Sequence, residues 1–192
     1  MIITEETQLR TLCEEVKTVE EGEDIGAQLL KELTESKNGI GVAANQIGIN
    51  KRVCVINVKE PLVLINPRIV ERSDEKFIFP EGCLSFPNKH IRTERNVSVT
   101  VEADNHDSKM VFTADSDKID DAFETACVQH EIDHLDGITM FDRAITQQPY
   151  KAPEKIGRNE RVTITDGKQT KELKWKKAQP LVESGEWEVG NI

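Results

Sequence analysis

The stretch with the clearest chemical content is Gln129-His130-Glu131-Ile132-Asp133-His134. On a helix, two histidines four residues apart share one face a single turn apart, so their imidazoles can bind one metal ion. Glu131 between them is poorly placed as a further ligand but well placed to take a proton from a metal-bound water. The chain has four histidines, and two of them are here. The plainer alternative is a helix with two hydrogen-bonded histidines and a surface glutamate. Burial of the helix counts against that alternative, because buried histidines need partners.

The third ligand decides the chemistry. In one large protease group the motif continues through a glycine, here Gly137, to a further histidine, but that last position is Met140. The remaining candidates are His90, His106, Cys13, Cys54, Cys83 and Cys127. Cys127 shares the helical face of the two histidines, but an ion between them would sit about 7 Å further along the axis. Its short side chain leans the other way, and a Zn–S bond is only about 2.3 Å, so Cys127 reads as pocket wall or core. Cys83 is the favoured ligand. It lies in Pro80-Glu81-Gly82-Cys83-Leu84-Ser85-Phe86-Pro87, whose prolines and glycine predict a shaped loop rather than a ladder strand. Gly82 would let another backbone approach closely. Taken alone, a single intracellular cysteine is more often a small buried hydrophobe.

The elements that position these residues can be read from periodicity and punctuation. Ile119 to Leu135 contains neither Gly nor Pro, carries Asp117, Asp120 and Asp121 at its start, and is followed by Gly137. That pattern predicts a helix, and apolar residues on several faces predict burial nearly all round. A second helix runs through Ile25, Leu29, Leu30 and Leu33, closed by Asn38-Gly39. Gly39 to Gln46 alternates glycine with apolar residues and reads as a loop or edge strand, not a phosphate loop. Gln46 ends it, either as an amide donor for chemistry or as a surface or core-bridging glutamine. Short strands follow at Arg52 to Asn57, Leu62 to Ile65, Arg68 to Val70, Val97 to Glu102 and Met110 to Thr113. The expected class is α+β, with mainly antiparallel or mixed sheets packed around a central buried helix that carries His-Glu-x-x-His.

With 192 residues, a formal charge of −10 and a pI near 5.0, the chain is one domain, or one with an appendage. The acidic balance argues against general nucleic-acid binding and anionic membranes. No secretory signal or membrane-spanning run is visible, and four scattered cysteines do not make a disulfide framework. A cytoplasmic or equivalent reducing compartment is the expectation.

Three stretches in order, Gly39 to Gln46, Glu81 to Ser85 and Gln129 to His134, together resemble the peptide deformylase family. The family is marked by Gly-x-Gly-x-Ala-Ala-x-Gln, Glu-Gly-Cys-Leu-Ser and Gln-His-Glu-x-Asp-His, and Leu64-Ile65-Asn66-Pro67 is also similar. The resemblance covers about residues 8 to 143. It implies hydrolysis of the N-formyl group from N-formylmethionine on new polypeptides, with Cys83, His130 and His134 holding one divalent ion. Fe²⁺ is the expected native ion, with Zn²⁺, Ni²⁺ or Co²⁺ also accepted. Glu131 would be general base and acid, and Gln46 with the Leu84 N–H would stabilise the oxyanion. Ile40, Phe79, Phe123, Ala126 and Cys127 would wall the methionine pocket, with Gly41, Glu81 and Gly82 beside the peptide. Arg95 and Asp133 look like the family's internal ion pair. His90 departs from the arginine that many members carry.

The resemblance implies a catalytic domain at 1–146 and a divergent extension at 147–192, hairpin or irregular and packed on the same domain. Arg161 to Thr165, Asp166-Gly167 and Thr170 to Trp175 read as a hairpin with a turn dipeptide. Its lysines suit either ribosomal contact or a solvated face, the latter being favoured. A small metalloprotease with Glu154 as third ligand is the alternative function, disfavoured by the Pro- and Lys-rich stretch at 149–153. A catalytically silent peptide binder is disfavoured because no metal or acid–base residue is missing.

Overall fold

A computed structural model describes residues 1–36, 39–115, 117–145, 161–165, 169–178 and 188–189. The chain divides into two compact units, Met1–Tyr150 and Lys151–Ile192. In the first, helices α1 (Glu6–Leu9), α2 (Val19–Glu35) and α3 (Ile119–Leu135) accompany eight strands. These are β1 (Gly41–Ala43), β2 (Val53–Asn57), β3 (Pro61–Ile65), β4 (Arg68–Arg72), β5 (Lys76–Cys83), β6 (Phe86–Asn96), β7 (Ser98–Glu102) and β8 (Met110–Thr113). They form three sheets, in the orders β1-β2-β3, β4-β7-β8 and β5-β6, and every named pairing is antiparallel. The class is therefore mixed helix and antiparallel sheet.

The β1-β2-β3 sheet is covered on both faces, and the alternation of β2 shows how. Val53 and Val55 are buried with Ile25, Leu29 and Leu33 of α2. Cys54 and Ile56 are buried instead with Cys127, Val128, Ile132 and Leu135 of α3. Both sets of alternate side chains are withdrawn from water, so the strand reads as a continuous apolar run. β1 is an edge strand of this sheet, with Gly41 opposite Ile56 and Ala43 opposite Cys54.

Three sequence expectations change. Helix α2 begins at Val19 and ends at Glu35, earlier at both ends than the apolar repeat closed by Asn38-Gly39. Thr18 caps it by accepting from the Glu21 N–H, with Glu20 and Glu21 in the first turn, so polar capping rather than the buried stripe sets its start. Asn38 lies outside the described residues. Pro80 to Pro87 is not a loop: it forms the end of β5, a Leu84-Ser85 turn and the start of β6, with a register shift between Gly82 and Cys83. In the two-stranded sheet each strand has one ladder partner, apart from an isolated bridge between Thr93 and Ala144, so the prolines face no second ladder. Helix α3 is buried at every residue from Thr125 to Leu135, but its first turns are not, and Ile119 is 66 % exposed.

In the second unit β9 (Arg161–Thr165) pairs antiparallel with both β10 (Thr170–Lys174) and β11 (Glu188–Val189). Val162, Ile164 and Ala178 make a small buried cluster there. Asp166, Gly167 and Glu154 lie outside the described residues. Among the described residues no helix is long and apolar enough to cross a membrane.

Two glycines inside α2 are explained by the sheet beneath. A Cβ on Gly22 would lie 2.6 Å from Ile65 Cγ2, and one on Gly26 2.6 Å from Val63 Cγ1. The helix approaches β3 too closely for a side chain. Ala in place of Gly normally strengthens an exposed helix by up to about 1 kcal/mol. Here Gly22→Ala is expected to destabilise by about 1–3 kcal/mol through overpacking against a fully buried isoleucine. Urea denaturation checks the sign.

Candidate active site

Three side chains from two elements meet at one place. The end of β5 brings Cys83, and α3 brings His130 and His134; the sulfur and one ring nitrogen of each histidine all lie within 4.8 Å of one another. Cys83 Sγ is 3.2 Å from His134 Nε2, and the two imidazole centroids are 4.8 Å apart. Tetrahedral Zn–N and Zn–S bonds place neighbouring ligand atoms about 3.4–3.6 Å apart, so one ion fits with little adjustment. Among the described residues no other such group of acids, histidines and cysteines occurs. His106 lies apart, its Nε2 3.3 Å from the Val63 carbonyl, and His90 lies on β6.

The histidines are held from behind. His130 Nδ1 donates to Glu81 Oε2 at 2.8 Å, which leaves Nε2 as the ring nitrogen available to an ion. The Glu81 carboxylate is fully engaged: Arg95 Nε and Nη2 donate at 2.6 and 2.9 Å, and Thr93 Oγ1 at 2.7 Å. Arg95 also donates to Asp133, and Arg143 grips Asp133 with two bonds of 3.0 and 2.8 Å. Glu81, expected beside the substrate, thus lines the cleft but turns its charge into this network. Sequence reading paired Arg95 with Asp133 but missed the contribution of Thr93 and Arg143, and nothing local in the sequence marks either residue.

Gln46 sits in a 3₁₀ turn (Ala44–Ile47) that follows β1, and it is buried. Its Oε1 accepts from the Ala43 N–H at 2.8 Å, which aims Nε2 at Ser85 Oγ (3.0 Å) and Cys83 Sγ (3.4 Å). Leu84 lies at the hairpin turn beside Cys83 and lines the same cleft.

That cleft has a volume of about 540 Å³. Ile40, Gly41, Phe79, Glu81, Gly82, Phe123, Ala126 and Cys127 all line it, as do Gln46, Cys83, His90, His130 and Glu131. Phe79 and Phe123 meet edge to face with centroids 4.9 Å apart, and Cys127 Sγ donates to the Ile40 carbonyl at 3.4 Å.

Two buried carboxylates here have opposite characters. Burial would raise Glu81, but Arg95 and His130 hold it well below the usual carboxylate range. Burial pushes Glu131 up to about 7, against the pull of His130 and Arg95. Glu131 Oε2 and His134 Nδ1 are buried without a hydrogen-bond partner. Burial works against a charge on His130, yet Cys83 and Glu81 hold its pKa well above the ordinary value. Burial, reinforced by His130 and Arg95, pushes His134 well below it. This donor set, with an unpartnered carboxylate oxygen in the same cleft, fits a bound divalent ion.

Comparison with known proteins bears on what such a site does. The sequence model of the polypeptide deformylase family matches residues 1–150. The chain belongs to that family. A peptide deformylase of Pseudoalteromonas translucida is 39 % identical over 139 residues, covering 70 % of this chain and 80 % of the relative. The crystal structure of the Thermotoga maritima peptide deformylase superposes with a TM-score of 0.68 at 28 % identity, covering 76 % of this chain and 97 % of that one. The Synechococcus elongatus peptide deformylase, solved in complex with actinonin, gives 0.67 at 31 % identity, covering 77 % and 79 %. The resemblance carried by the three motifs is borne out, and the activity follows: a metallohydrolase that removes the formyl group from N-formylmethionine.

Two tests address the geometry directly. A Cβ on Gly41 would collide with Glu131 Oε1 and lie 2.6 Å from Cys127 Sγ. Displacing a catalytic group by about 1 Å can cost on the order of 100-fold. Gly41→Ala is expected to lower kcat/KM at least about ten-fold on that scale, measured as formate release. The second test concerns acid stability. Because Glu81 is held low in the folded state, its stabilisation is present above the unfolded value near 4.5 and is lost as pH falls below it. The stability gap between the unaltered protein and Glu81→Gln should therefore be widest near neutrality and narrow below pH 4.5, read from denaturation at stepped pH.

Proposed function

We propose that Cys83, His130 and His134 hold the catalytic ion and that Glu131 moves the proton in deformylation. The single observation that carries this reading is the convergence of the three ligand atoms within 4.8 Å beside a buried, unpartnered Glu131 oxygen. In this reading α3 is the central helix of the domain and carries the His-Glu-x-x-His motif on its buried half. A bound divalent ion supplies Lewis acidity, polarising the formyl oxygen and lowering the pKa of water.

The protein's own groups account for the rest. Glu131 takes a proton from the attacking water at its free Oε2 and passes it to the departing amine nitrogen, so formate and a free N-terminus leave. Burial raises this carboxyl above the ordinary carboxylate range, which favours its taking a proton from water. Gln46 Nε2, fixed by the Ala43 bond, and the Leu84 N–H donate to the developing oxyanion. Losing one such donor typically costs about 3–4 kcal/mol of transition-state stabilisation. The methionine side chain enters between Ile40, Phe79, Phe123, Ala126 and Cys127. Gly41 and Gly82 leave backbone accessible to an extended peptide, and Glu81 acts by orienting His130 at the wall of the same cleft.

Fe²⁺ is the native ion in this reading, and the same thiolate–imidazole donors accept Zn²⁺, Ni²⁺ and Co²⁺. Residues 1–146 are the catalytic domain and 147–192 its extension. The exposed Lys174, Lys176 and Lys177 of the second unit offer a ribosomal contact, with solvation as their plainer role. The four cysteines are unpaired, which supports a reducing compartment such as the cytoplasm.

Metal-loaded protein, purified without oxygen, should release formate from formyl-Met-Ala-Ser and leave unformylated peptide intact. Cys83→Ala should lose the ion. Glu131→Gln should keep the ion while kcat falls by about 10²–10⁴. Metal retention by Cys83→Ala, or cleavage of the unformylated peptide, would overturn the assignment in favour of a protease.

A further inference from the structure

Behind the metal-facing side of α3 a second cleft of about 340 Å³ opens, and Arg143, Asp133, Arg95 and Gln129 line it. Arg143 ends the short 3₁₀ turn Met140–Arg143, and its side chain is 41 % exposed. From it a continuous line of bonds runs inward. Arg143 Nε donates to Asp133 Oδ2 at 3.0 Å and Nη2 to Asp133 Oδ1 at 2.8 Å. Arg95 Nη1 donates to the same Oδ2, and its other two nitrogens grip Glu81, whose Oε2 accepts from His130 Nδ1.

We infer that Arg143 is a positioning residue for the reaction, fixing the ring of His130 through Asp133, Arg95 and Glu81. The inference rests on His130 being a metal ligand, as proposed above. The reason is charge balance in a dry place. Asp133 and Glu81 are two anions, and Arg95, buried between them, is one cation. Arg143 supplies the second cation and satisfies both oxygens of Asp133. Arg95 can then commit two donors to Glu81, and that planar fork sets the orientation of the carboxylate and so of the imidazole bonded to it. Without Arg143 the uncompensated Asp133 competes with Glu81 for Arg95, and the hold on His130 slackens. A lysine at 143 would restore charge but not the two-pronged contact.

The neighbouring Arg10–Asp142 pair provides an internal control. It braces the same turn, with Arg10 Nη1 donating to Asp142 Oδ2 at 3.0 Å rather than to Asp133. The readout is the rate at which Co²⁺-loaded full-length protein loses its ion to excess chelator, followed by Co²⁺ absorbance, alongside kcat and KM. Removing groups that touch a metal ligand typically costs about 10–100-fold, so a residue further back should cost less. Arg143→Ala is expected to speed ion loss by about 3–10-fold on that scale, with kcat lowered and KM unchanged. Arg143→Lys should fall between Arg143→Ala and the unaltered protein, and it carries the test if Arg143→Ala does not fold. Arg10→Ala should leave ion loss unchanged. In an Asp133→Asn background, Arg143→Ala should add little further. Unaltered ion loss in both Arg143 variants, equal acceleration by Arg10→Ala, or full additivity with Asp133→Asn would each overturn the inference. Retention of Co²⁺ by His130→Ala would instead sink the metal-site reading itself, and this inference with it.

Discussion

A buried guanidinium holds this molecule's chemistry in place. Arg95, on β6, is bonded at once to Glu81 on β5 and to Asp133 on α3. Leaving such charges unpaired in the interior costs several kcal/mol per ion, so the arrangement is stable only when all three elements are in register. That requirement ties the β5–β6 hairpin to the helix. It also brings Cys83, two residues beyond Glu81, to the face of α3 that carries His130 and His134. The three candidate ligands meet because their neighbours must be neutralised.

The same network separates two buried carboxylates that would otherwise behave alike. Glu81 is surrounded by Arg95, Thr93 and His130 and stays ionised, which suits a residue that orients an imidazole. Glu131 has only burial and distant charges to answer to, and it rises to about 7. In the proposed mechanism one carboxylate is thereby kept for position and the other for proton transfer. Environment, not residue type, assigns the roles.

Close approach is the second theme. Gly22 and Gly26 let α2 lie directly on β3, and Gly41 leaves room for the Glu131 carboxylate and the Cys127 sulfur beside β1. The sheet between α2 and α3 is thus compressed from both faces, and its edge strand delivers Gln46 to the cleft with its amide already oriented by Ala43. In the proposed mechanism this amide is a donor fixed in advance, the condition under which donors stabilise charge most.

Much of this was legible in residue spacing. The bounds of α3, its His-Glu-x-x-His pair, the short strands from Val53 to Ile65 and the family itself were all readable in the chain. Spacing alone placed His130 and His134 on one face of α3, whereas the residues that line the cleft were expected only through the resemblance to the family. The hairpin that carries Cys83 was not legible, since its two prolines argue locally for a loop and are tolerated because neither strand lies inside a wider sheet. Nor was the commitment of the Glu81 carboxylate to Arg95 and His130, or the part played by Thr93 and Arg143. Residues 81, 93, 95, 133 and 143 share no sequence period. Their partnership exists only once strands and helix have packed, because charge pairing depends on distance in space and local pattern carries no record of it.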